Sequence, residues 1–133
     1  MKKVCIVFVE YRIEKEYRTS YLTWAAVLKQ QFEQMDVYEG AEQPGLFVEI
    51  WNGLSDEAYA AMKAARTGTI TPGLPDETEE GRLWRRIDPW IAGGRGKVHI
   101  WKFTRITPQD ETFRLLEAYD PAIFKRFENG IGI

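Results

Sequence analysis

The segment Val4–Tyr11 reads VCIVFVEY, with apolar side chains on both of its alternating rows and β-branched or aromatic residues at most positions. Successive side chains of a strand point to opposite faces, so such a run escapes water on both sides only inside a covered sheet. A chain of 133 residues is then expected to form a single domain, 1–133, around that strand. Its 44% hydrophobic content is enough for a core, and 29% charged residues suit a solvated surface. Aromatics reach 14% with five Trp, rings that something must bury or use. A lone Cys cannot form an internal disulfide, which excludes a secreted disulfide framework. Met1-Lys2-Lys3 imitates a secretion signal, but the apolar run Val4–Val9 is only six residues long. A signal core needs roughly 7–15 apolar residues and a membrane span roughly 20. The expectation is a cytoplasmic chain that engages no membrane.

Downstream, Tyr17, Tyr21, Trp24, Leu28 and Phe32 recur at helical spacing and draw one apolar stripe on a helix over Glu14–Phe32. Two strands are expected at Met35–Glu39 and Leu46–Trp51, joined across the polar, Gly- and Pro-containing stretch 40–45. Ser55 stands where a helix N-cap is wanted, with Asp56 and Glu57 near the positive end of a helix running to about Arg66. Tyr59 and Met62 would lie on its buried side. A Gly/Pro/Thr loop at 67–75 follows, then Asp76 and Glu79 in a capping pattern for a short helix carrying Leu83, Trp84 and Ile87. Gly93-Gly94-Arg95-Gly96 reads as a turn, and Lys97–Thr107 (KVHIWKFTRIT) alternates as a last strand. Two C-terminal helices are expected near 110–119 and 121–128.

The order is strand, helix, strand, strand, helix, strand, then a helical extension over about 108–133. It predicts an α+β, ferredoxin-like βαββαβ core over about 3–107, an antiparallel sheet with both helices on one face. The first strand would sit between the third and fourth. Two helices cover one face only. If the aliphatic rows of the third and fourth strands meet the helices, the other face presents Phe47, Glu49, Trp51, His99, Trp101, Phe103 and Arg105. Rings of roughly 150–250 Å² each make that patch too large to stay wet on a monomer. A second copy, a ligand or the C-terminal helices must cover it.

With VCIVFVEY, FVEIWNG and KVHIWKF in this order, the chain resembles the dimeric α/β-barrel superfamily, which includes antibiotic-biosynthesis monooxygenases, stress-responsive barrel proteins and NIPSNAP-like proteins. The resemblance implies a homodimer stacked through the free sheet faces, with a small-molecule cavity beside each sheet. Some members oxygenate aromatic substrates without a cofactor, and others degrade haem. The haem-degrading pattern has an Asn on the first strand and a Trp and a His at the second helix; this chain has none of the three, so no haem chemistry is expected.

Among chemistry-bearing residues, His99 is the sole imidazole, the side chain suited to relaying a proton near neutral pH. Glu49, predicted on the same face, would stand roughly 9–10 Å away, two strand spacings, and flank a ligand with it. These two are the candidate catalytic pair. Against this, His99 is equally a hydrogen-bonded packing residue, and Glu49 a partner in a salt bridge to Arg105 or to an Arg of a second copy. Trp51, Trp101, Phe103, Phe47 and Tyr11 are candidate ligand-binding rings, and Arg105 a candidate anion contact; filling a dimer core is the alternative for the rings. Tyr38, Trp84 and Trp90 are further candidates for a cavity mouth, although Trp84 follows the stripe of Leu83 and Ile87 and reads better as core.

The net charge of −2 gives no global attraction to nucleic acid. Locally, residues 82–105 hold seven basic side chains against Asp88 alone, and an anionic ligand follows if Arg85, Arg86, Arg95 and Arg105 converge. Gly93–Lys97 lacks the spacing of a phosphate loop and leads into a strand rather than a helix. No clustered ligands suggest a metal, and no cofactor is expected. Two readings remain: a homodimer that binds an anionic or aromatic small molecule or is simply structural, and a cofactor-independent monooxygenase or isomerase acting on an aromatic or polyketide-like molecule. An open volume of a few hundred Å³ touching His99 favours a ligand; Trp51 packed on Trp101 without a void favours a filled barrel.

Overall fold

The computed structural model describes residues 4–68 and 79–106. The expected C-terminal helices, most of the 67–75 loop and Asp76 lie outside the described residues. Strand β1 (Cys5–Arg12) is followed by a 3-10 turn at Lys15–Tyr17, helix α1 (Arg18–Gln31), strands β2 (Met35–Glu39) and β3 (Leu46–Asn52), helix α2 (Asp56–Thr67), short helix α3 (Glu79–Arg85) and strand β4 (His99–Thr104). All strand pairs are antiparallel, in the order β2-β3-β1-β4. This is the ferredoxin-like arrangement, and β1 is central, as its two apolar rows require. No helix among the described residues is long and apolar enough to cross a membrane.

Local chemistry sets the elements. Ser55 Oγ accepts the Ala58 N–H at 3.0 Å and so caps α2, satisfying a donor that has no partner inside the helix. On α1, Tyr21, Trp24 and Leu28 are buried and Phe32 packs against the core. Tyr17 departs from the expected stripe. It falls in the 3-10 turn, whose tighter winding swings it out of line, and stacks on Trp90 with ring centroids 6.4 Å apart. Gly93 and Gly94 both have φ of +82°, a conformation costly for any residue with a Cβ, and turn the chain toward β4. Arg95–Lys97 then makes a 3-10 turn, so β4 starts two residues later than expected. The segment before this turn runs along the end of β1: Ile13 bridges Ile91, and the Ala92 N–H donates to the Arg12 carbonyl at 2.8 Å.

The sheet packs its odd row of β1 (Val7, Val9, Tyr11), with Phe47, Trp51, Met35 and Ile100, against Tyr21, Trp24, Leu28, Met62, Trp84 and Ile87. Here the structure corrects the sequence reading. Phe47, Glu49 and Trp51 face the helices, and Leu46, Val48 and Ile50 occupy the open face. Register decides it: Trp51, Glu49 and Phe47 stand opposite Val7, Val9 and Tyr11, and all six side chains must share one side. The open face presents Ile6, Phe8, Glu10 and Arg12 from β1, Leu46, Val48 and Ile50 from β3, Asp36 and Tyr38 from β2, and His99, Trp101 and Phe103 from β4.

Candidate functional site

Polar chemistry gathers in two places, one on each side of the sheet. Beneath the helices, Glu49 and Arg66 are 0% and 2% exposed. Arg66 grips the carboxylate with both ends of its fork, Nη1 to Oε1 and Nη2 to Oε2, each at 2.7 Å. Trp51 Nε1–H donates to Oε1 at 2.9 Å, and the Tyr11 hydroxyl donates to Oε2 through a very short contact. Tyr21 Oη lies 2.8 Å from Tyr11 Oη; since the Tyr11 proton is committed to Glu49, Tyr21 is the donor there. The guanidinium carbon is 5.0 Å from the Trp84 ring centre, 5.8 Å from Tyr11 and 5.9 Å from Trp24. Burying two charges is costly unless their hydrogen-bonding positions are filled, and here the carboxylate accepts four hydrogen bonds, two on each oxygen.

This burial dominates the protonation of the neighbours. The Tyr11 phenol is pushed well above its ordinary value by burial and then by the adjacent Glu49 carboxylate. Tyr21 is raised for the same two reasons in the same order. For Arg66, burial acts to lower the value, but attraction and hydrogen bonding to Glu49 outweigh it and hold the guanidinium charged. A carboxylate that already accepts four hydrogen bonds has no lone pair directed at a substrate, so the arrangement is suited to fixing structure.

The second place is on the open face. Cross-strand pairing sets His99 directly opposite Glu10, with Val48 on the other side of Glu10. A cleft of about 330 Å³ opens there, lined by Glu10, Tyr11, Arg12, Gln43, Leu46, Ala92, Lys97 and His99. Tyr11 borders it although that residue is almost wholly buried and its hydroxyl belongs to the Glu49 cluster. The His99 ring lies nearly parallel to Trp101, at 6° and 5.6 Å between centroids, and Phe103 meets Phe8 edge-on at 5.2 Å. The cleft can seat a small molecule against the His99 ring, with the Glu10 carboxylate at hand.

The candidate residues therefore separate. His99, Trp101 and Phe103 share the open face as expected. Glu49, Phe47, Trp51 and Tyr11 are on the other side, so Glu49 cannot flank a ligand with His99. Its ion pair is with Arg66 and not with Arg105. Arg105 follows the end of β4 and donates its backbone N–H to the Val4 carbonyl; six residues of strand put it about 20 Å from His99, at the far end of the sheet. Tyr38 is exposed on the open face, Trp84 is core and Trp90 packs on Tyr17. The basic segment does not converge either, because Arg95 is engaged by Asp88 Oδ2 at 2.9 Å and by the carbonyls of Ala65 and Gly68. Among the described residues no group of His, Cys, Asp and Glu is placed to hold a metal.

Two members of these polar clusters escaped the sequence reading. Arg66 was legible in principle: Tyr59, Met62 and Arg66 are spaced three and four apart, which continues the buried row of α2. Glu10 needed the β1–β4 register, which no local pattern supplies.

No family model and no curated protein matches the sequence. Solved structures do match the fold. One is a candidate antibiotic biosynthesis monooxygenase from Nitrosomonas europaea, 14% identical, with 82% of this chain and 97% of that chain covered and a TM-score of 0.58. Another is a candidate antibiotic biosynthesis monooxygenase from Bordetella bronchiseptica, 6% identical, with 80% and 100% covered and a TM-score of 0.58. A protein from Pseudomonas aeruginosa is 13% identical, with 80% and 98% covered and a TM-score of 0.57. The chain shares their fold. At such identities the likeness extends to architecture and carries no residue role across.

Proposed function

We propose that the protein is a homodimer formed through the open face of its sheet, and that it binds a small molecule in the cleft beside His99. One observation carries the reading: Tyr38, Trp101 and Phe103 are 58%, 44% and 50% exposed on the same face as Phe8, Val48 and Ile50. A contiguous apolar surface of this kind marks an interaction site rather than the exterior of a lone domain. Trp51 and Trp101 lie on opposite sides of the sheet and cannot pack on each other as a filled barrel requires. The cleft beside His99 supports a ligand in its place.

A second reading is a cofactor-independent monooxygenase or isomerase acting on an aromatic or polyketide-like molecule. It is favoured by the Glu10–His99 pairing, an acid beside an imidazole able to relay a proton, and by the candidate monooxygenases among the fold neighbours. In that case His99→Ala abolishes turnover, and unchanged turnover removes the relay.

Sedimentation at micromolar concentration tests the main reading. Wild-type protein is expected at twice the 15.5 kDa chain mass, and Trp101→Lys, which places a charge in the apolar face, at the chain mass. A wild-type monomer at that concentration overturns the dimer.

A further inference from the structure

Resting on the binding reading above, we infer that the ligand of the open-face cleft is an aromatic acid, its anionic group held by Arg12 and Lys97 and its ring laid against His99. The volume of about 330 Å³ is at the lower end of the roughly 300–1,000 Å³ of ligand pockets, which suits one or two rings.

Charge sets the polarity of the guest. Glu10 is the one carboxylate lining the cleft and stands opposite His99 across the strand pair. Arg12 and Lys97 are the remaining charges of the cleft, and among the described residues neither has a carboxylate partner. Arg12 reaches only neutral oxygens, the Pro44 carbonyl and Gln43 Oε1, each at a long 3.3 Å. Gly93 leaves room for the lysine stem along that turn: a Cβ there would come 2.7 Å from Lys97 Cγ. A planar guanidinium and an ammonium left over at one rim favour a carboxylate or similar anion. His99, its ring stacked on Trp101 at 5.6 Å between centroids, offers the body of the guest an aromatic side chain within the cleft.

Isothermal titration with 2-naphthoate and with its uncharged analogue 2-naphthalenemethanol tests this, on wild type and on an Arg12→Gln/Lys97→Gln double variant. Wild type should bind the acid roughly tenfold or more tightly than the alcohol, as expected for charge-assisted hydrogen bonds. The double variant should lose that preference while keeping its affinity for the alcohol, and added salt should weaken only acid binding to wild type. Equal affinities for acid and alcohol in wild type, or a preference that survives the double substitution, overturn the inference and leave small-molecule binding standing. Failure of both probes to bind overturns the inference and counts against the binding reading as well. Arg12 and Lys97 are exposed, so the variant keeps its core, and circular dichroism confirms that it folds.

Discussion

The covered and open faces of the sheet carry similar numbers of rings but treat charge in opposite ways. Beneath the helices, Glu49 and Arg66 are sealed among Tyr11, Trp24, Trp51 and Trp84, and each polar atom has a fixed partner. On the open side Glu10, Arg12, Lys97 and His99 stand at the rim of a cleft, and Trp101 and Phe103 remain half exposed. Saturated polar groups in a dry layer specify one packing, because any slip strands a charge. Polar groups at a wet rim cost little to leave unpaired and are available to a guest. Charge alone does not mark a functional site in this molecule; incomplete pairing next to apolar surface does.

The sharpest way to break the comparison is Glu49→Ala, which leaves the Arg66 cation buried without a counter-charge. It should destabilise the fold by about 3–5 kcal/mol in urea denaturation, and a Glu49→Met/Arg66→Met double variant should recover most of that loss. A single-variant cost below about 1 kcal/mol would mean the layer admits water. Next in size is an alkaline effect. Tyr11 and Tyr21 have raised values in the folded state, so their contribution is intact below the ordinary tyrosine value near 10 and is lost as pH rises above it. Phenolate absorbance should show these two remaining neutral until the chain unfolds, and Tyr11→Phe should remove one of the silent groups. The smallest effect belongs to the exposed Arg18–Glu39 pair. Hydrogen bonds from Arg18 and then from the Gly45 N–H hold the Glu39 carboxyl below its usual value. That contribution is present above the ordinary glutamate value near 4.3 and fades as pH falls below it. Acid denaturation of Arg18→Gln should differ slightly from wild type at low salt and coincide with it at high salt.

Much of the architecture was written locally. The two apolar rows of VCIVFVEY demanded a central strand, Ser55 announced α2, and the spacing of Tyr21, Trp24 and Leu28 drew the buried stripe of α1. Choosing the inward row of β3 was beyond alternation, because LFVEIW is apolar on both rows apart from Glu49. Placing Leu46, Val48 and Ile50 inward kept a carboxylate out of the core, a sound rule for an acid without a partner. The partner was Arg66, whose place on the buried row of α2 follows from its distance to Met62 once a cation is allowed there. His99 with Trp101 and Phe103 was legible because alternation in β4 is clean. Its link to Glu10 was not, since pairing between strands distant in sequence depends on register set by the whole sheet.

Strand β1 is a party wall furnished on both sides: Tyr11 is committed to the sealed layer, and its immediate neighbours Glu10 and Arg12 to the cleft. No spare row is left on it, so a change at any of its positions is felt in one compartment or the other. Variation that retunes what the cleft accepts, without disturbing the sealed layer, therefore has its freest ground in the turns that frame the opening, at Gln43 and Lys97.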